Sequence, residues 1–207
     1  MIKKLNMRLR KSKQPLNGQH QYRYANVFVF VYLLCSTISH GQALNNNWEK
    51  DLSKSLEEFI KCAKSSGDKA TCGATVGQSL ATVYKQDAFF SPKLNRFLIS
   101  NEISEIVEDS KRWKLLGFAY DQKVLDQAQQ MANTNKPVIA VYRMNGSSHV
   151  VLILPGALHF SGSWGFKVPN SASFSYIDPD KSYVGKGLSY GFAKSMMKDI
   201  TLYQMTY

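Results

Sequence analysis

The sequence predicts an α+β domain, helices first and a mostly antiparallel sheet after them. Three observations lead there. Apolar residues recur at helical spacing from Trp48 to about Asn133, and the period changes to β-branched runs from Pro137 onward. No internal repeat or long linker separates the two stretches, so they belong to one core.

The elements follow in order. From Trp48 to Lys64, Leu52, Leu56, Phe59, Ile60 and Ala63 share one helix face behind a run of Asn that can cap. Residues 65–71 are turn-rich, and Cys72 to about Tyr84 reads as a second helix striped by Val76, Leu80 and Val83. Ser91-Pro92 begins another short helix, and Asn101 to about Lys111 carries Ile103, Ile106 and Val107. Asp121 is an N-cap for a helix through Leu125, Ala128 and Met131 that ends near Asn133. Val138–Tyr142 and Val150–Leu154 are strands joined through Asn145-Gly-Ser-Ser148, hairpin-like, and Pro155-Gly156 closes the second. Further strands are expected at Gly165–Val168, Ala172–Ile177 and Ile200–Thr206, with a helix near Tyr190–Lys198.

Charge narrows the function classes. The 207 residues hold 26 Lys and Arg against 15 Asp and Glu, a net +11 that invites nucleic acid as a partner. Seven of the basic residues lie in residues 1–43, which contain no acidic residue, so the remainder carries only +4. That segment has the layout of an export signal. A basic stretch precedes the apolar run Val27–Cys35, and Gly41 and Ala43 stand at −3 and −1 of a cleavage site. Nine apolar residues are too few to span a bilayer as a helix. The reading is export to the periplasm or beyond by a bacterial cell, with residues 1–43 removed or kept as an anchor and residues 44–207 forming a single domain. Nucleic acid drops out as a partner, and the membrane is met only through the signal.

Four reactive side chains remain after residue 43: Cys62, Cys72, His149 and His159. They show no metal-ligand spacing, so no metal or other cofactor is expected. Cys72 follows a polar loop and opens a predicted helix, where the macrodipole favours thiolate, and its neighbours Gly73 and Ala74 are small. His149 precedes an apolar strand that can hold its ring toward a cleft. The pair forms a nucleophile and base. The competing reading is a Cys62–Cys72 disulfide, ten residues apart in an oxidising compartment, which removes the thiol.

Three blocks carry a resemblance: Cys72-Gly-Ala-Thr-Val-Gly-Gln-Ser-Leu80, Ala128-Gln-Gln-Met-Ala-Asn-Thr-Asn-Lys-Pro-Val-Ile-Ala-Val141 and Ser148-His-Val-Val-Leu-Ile-Leu-Pro-Gly156. Over roughly residues 68–178 the chain resembles the papain-like cell-wall cysteine amidases and endopeptidases, the NlpC and CHAP group, with the amidase effectors delivered between bacteria. Ser148 stands where a Gly usually precedes the His, and Thr71 where one branch carries Asp. The resemblance implies a papain-like fold, a hydrolase cleaving amide bonds of peptidoglycan or its peptide fragments, and an inhibitor or immunity protein as a conceivable partner. It also implies a third residue that orients His149, for which Asn170 is the first choice and Asp178 the second. Two other readings stand beside it. One is a non-catalytic secreted binding module with Cys62 and Cys72 bridged; the other is a cysteine protease or acyltransferase acting on protein. Trp164, Tyr183 and Tyr190 are candidates to line a sugar-binding groove.

Overall fold

The computed structural model describes residues 43–65 and 69–207. The proposed export segment lies outside them, apart from Ala43 at its end. Among the described residues, five α-helices and ten strands alternate with turns, and no helix is long and apolar enough to cross a membrane.

Helix α1 (Trp48–Lys64) buries Trp48, Leu52 and Phe59 on one face. Glu49 and Asp51 in its first turn and Lys61 and Lys64 in its last oppose the macrodipole's end charges. The short α2 (Lys69–Gly73) and α3 (Thr75–Tyr84) follow, and α3 stops where Lys85 turns left-handed at φ 52°. Cys72 therefore lies in α2 rather than at the start of a longer helix, and Thr75 is the first residue of α3. The expected helix at Ser91-Pro92 is instead a minimal hairpin, β1 (Phe90–Ser91) against β2 (Arg96–Phe97), closed by Asn95 at φ 50°. Helix α4 (Ser100–Asp109) is entered through Glu102, whose carboxylate accepts from the Ile99 amide at 2.9 Å and from the Arg96 guanidinium at 2.8 Å on both oxygens. The Arg96 fork holds the Glu102 carboxyl below the usual carboxylate range. Helix α5 (Gln122–Asn133) is capped as expected, with the Asp121 carboxylate accepting from the Lys123 amide at 2.9 Å.

The main sheet is antiparallel throughout, in the order β3 (Trp113–Phe118), β10 (Ile200–Met205), β4 (Val138–Met144), β5 (Ser147–Ile153), β8 (Asn170–Ser173), β9 (Tyr183–Gly187). The strands β6 (His159–Ser161) and β7 (Phe166–Val168) pair separately. The expected helix at 190–198 is two 3-10 segments, Leu188–Tyr190 and Lys194–Asp199. Asn145-Gly146 makes the β4–β5 turn, with Gly146 at φ 77°.

Both faces of β4 and β5 are covered. Ile139, Val141, Val150 and Leu152 pack with α1, α3 and α4 through Leu52, Phe59, Leu80 and Ile103. Val138, Ala140, Val151 and Ile153 pack with α5 through Val124, Leu125, Ala128 and Ala132. The two-residue pleat sorts each strand between the two cores, which is why these runs read as continuously apolar. The buried Tyr84 hydroxyl ties α3 to the sheet by donating to the Ile153 carbonyl at 2.8 Å, and burial suppresses its ionisation.

Gly77 sets the distance between α3 and β2. A Cβ there would lie 2.6 Å from the Leu98 carbonyl oxygen, which is backbone and yields little. Gly77→Ala is expected to destabilise the domain by about 1–3 kcal/mol through overpacking, read as a lower midpoint in urea at an unchanged slope.

Candidate functional site

A cleft of about 620 Å³ opens at the end of the sheet where β5 begins. One wall is Phe59, Gly73, Ile99, Ser100 and Asn101; the floor is Tyr142, Met144 and Ser147 to His149. The far wall runs from Phe174 to Asp178 with Lys181, and Gly191, Phe192 and Met196 close it. Its surface is apolar, with hydroxyls, the Asn101 side chain and the Asp178–Lys181 ion pair (2.9 Å) as polar points. Among the described residues no three His, Cys, Asp or Glu side chains gather as metal ligands would.

His149 is fixed from several sides. It sits opposite Tyr142 in the β4–β5 ladder, and its ring meets Phe192 edge-to-face at 5.3 Å. Its Nε2 lies 2.9 Å from the Ser173 hydroxyl on β8. Burial lowers its pKa to about 4, so the imidazole is neutral at pH 7. The strand start itself is seated on α4. The Ser148 amide donates to Asn101 Oδ1 at 2.6 Å, the Ser148 and Ser104 hydroxyls are 2.8 Å apart, and Arg143 reaches the Ser104 carbonyl and pairs with Glu108. With Nε2 occupied, Nδ1 is the nitrogen left to exchange a proton with a bound molecule.

Cys72 is placed differently from expectation. Its sulfur is bonded to that of Cys62, with the two Cα atoms 5.7 Å apart, and the residue is 2% exposed. A disulfide sulfur is no nucleophile. Cys72 packs with the α1–α3–α4 core, whereas His149 rests on Phe192 of the α5-side core. The two lie on different faces of the sheet; His149 and Gly73 line the main cleft, whereas Cys72 itself lines a separate depression with Cys62. The structure does not bring the thiol and imidazole together in this bridged state.

Asn170 does not orient His149. Its Oδ1 faces His159 Nε2 at 3.2 Å, its Nδ2 donates to the Pro155 carbonyl at 2.8 Å, and its amide donates to Gln129 Oε1 at 2.7 Å. The register explains the correction. Val151 pairs with Ser173, and the Leu154 amide bonds the Asn170 carbonyl, so Asn170 lies three residues along β8 from Ser173, about 10 Å at strand rise. Asn170 braces the Pro155-Gly156 corner, and Ser173 takes the position expected of it. Asp178 lines the cleft but pairs with Lys181 at the entry to the 3-10 turn Pro179–Lys181, as a turn residue. His159 belongs to the Asn170 corner. Trp164 and Tyr183 are buried core, Tyr183 with its hydroxyl 3.0 Å from that of Ser171, so neither lines a groove; Tyr190 is exposed under Lys186.

Ser173 was missed because a Ser within Ala172–Phe174 reads as an ordinary strand residue. Only the register picks it out. Ser173→Ala is expected to raise the mobility of the His149 ring, seen as a shifted and broadened imidazole signal in NMR, whereas Asn170→Ala leaves that signal in place and perturbs His159. The chain matches no family model and no curated protein sequence.

Proposed function

We propose that this chain is an exported cysteine hydrolase of papain-like type, acting on amide bonds of peptidoglycan stem peptides, whose nucleophile Cys72 is stored as a disulfide in the state described above. The observation that carries the reading is His149: neutral at pH 7, held through Nε2 by a buried hydroxyl, and lining the 620 Å³ cleft. That is the arrangement of a general base with its orienter. The substrate class and the papain-like assignment rest on the three sequence blocks.

The mechanism requires reduced Cys72 and a rearrangement that carries its Sγ into the cleft beside His149, because in the bridged state the two residues lie on different faces of the sheet. Neutral His149 takes the thiol proton through Nδ1 as the sulfur attacks the amide carbonyl. Backbone amides at the α2–α3 junction donate to the oxyanion. The imidazolium then protonates the leaving amine, and water, deprotonated by His149, releases the acid and restores the thiol. A neutral imidazole acts here as a base rather than as the imidazolium of a preformed thiolate pair, because burial disfavours its charged form.

The disulfide itself favours a second reading, a binding module that holds a wall peptide in the same cleft without cutting it. The two are separated by incubating the full chain, reduced and unreduced, with purified muropeptides and analysing products by mass spectrometry. Cleavage under reduction supports the hydrolase. Retention of intact muropeptide in both states establishes the module instead.

A further inference from the structure

We propose that Cys62 is a thiol-exchange site through which a small thiol or a protein dithiol releases Cys72. The inference deepens the hydrolase reading by naming its control, and the exchange can be tested apart from it. Cys62 and Cys72 both border a second, separate depression of about 150 Å³, with Ser55, Glu58, Thr71 and Gln78 around them. Phe59 borders both this depression and the main cleft. Beyond the bridge, Gly73 belongs to the main cleft. The bridge thus stands at a depression where a reductant can dock, with Phe59 and Gly73 between it and the main cleft.

The two sulfurs are unequal. Cys62 is half-buried on α1, whereas Cys72 is 2% exposed. Thiol–disulfide exchange is decided by which sulfur the incoming thiolate can reach in line with the S–S bond. That sulfur is Cys62. The thiolate bonds to Cys62 Sγ, the S–S electron pair leaves with Cys72, and Cys72 departs as a thiolate. A second thiol attacks the mixed disulfide, giving Cys62 thiol and the oxidised reductant, two electrons in all. Cys72 is already free after the first step. A monothiol such as glutathione is therefore sufficient, with Cys62 left capped.

The test is to treat the oxidised full chain with limiting glutathione, quench in acid, cap free thiols with iodoacetamide and map each cysteine by peptide mass spectrometry. The expected result is glutathione on Cys62 and iodoacetamide on Cys72. Glutathione on Cys72, or no exchange in the folded protein, overturns the proposal. Hydrolysis of muropeptides is followed on the same samples. Exchange at Cys62 without any hydrolysis keeps the exchange site and rejects the hydrolase; hydrolysis by the fully bridged protein rejects the control. Cys62→Ser is expected to be active with no thiol added, at a rate matching reduced wild type. Should that variant fold poorly, the Cys62-glutathione form of the wild-type chain provides the same comparison.

Discussion

On the proposed hydrolase reading, Cys72→Ala in the reduced protein is expected to abolish muropeptide hydrolysis, and His149→Ala to lower turnover by about 10²–10⁴-fold, the usual worth of a positioned general base. The two losses are expected not to add, because each residue acts only through the other. The base role proposed for His149 rests on burial, which keeps it neutral, and on Ser173, which holds the ring by Nε2. Cys72 contributes only after leaving Cys62, so the bridged wild type and Cys72→Ala should look alike in the assay. The check is turnover of a single muropeptide by each variant at matched thermal stability. Wild-type rates in reduced Cys72→Ala would place the nucleophile elsewhere and end the hydrolase reading.

The second large effect is on stability, and its sign follows from the same imidazole. The His149 pKa falls from 6.5 to about 4 on folding. Between those values the unfolded chain binds the proton and the folded chain does not, so stability drops as pH falls through that window. The loss begins near pH 6.5, is complete near pH 4, and amounts to at most about 3 kcal/mol. Denaturant titrations of wild type and His149→Gln from pH 7.5 to 3.5 isolate it, since the carboxylates titrate in both. The difference between the two proteins should shrink toward acid pH. A constant difference would show that His149 titrates normally.

The sequence made the helices legible because their apolar stripes are driven by burial against one sheet face, as Leu52, Phe59, Leu80 and Ile103 show. It also placed β4 and β5, whose β-branched residues are buried on both sides. It did not reveal β3 or β9. Both are sheet edges, with exposed Leu115 in one and two glycines in the other, and neither alternates cleanly. The 190–198 stretch has helical composition but turns only in 3-10 segments.

At the site, sequence order was a fair guide to which residues surround the cleft and a poor guide to their bonds. His149 lies in its floor as the strand pattern implied. The disulfide was one of two readings of a ten-residue spacing, and chain spacing alone cannot choose between a thiol and a bridge. The resemblance implies Asn170 from its place along the chain, yet the partner of an imidazole on an adjacent strand is decided by register, and a shift of three residues gives Ser173. The Asn101–Ser148 clamp spans 47 residues and has no local signature.

The position of β10 has a consequence for how the domain is assembled. It lies between β3 and β4 and bonds to both, the Thr201 position meeting Phe118 on one side and Val141 on the other. Among the described strands it is the last to be synthesised, so until residues 200–205 emerge, the sheet has an unfilled slot and β3 has no strand to pair with. A nascent chain is therefore held short of its native topology throughout most of synthesis. The chain's own strand order delays closure of the sheet, while the ten-residue bridge between α1 and α2 closes a local loop that does not wait for it.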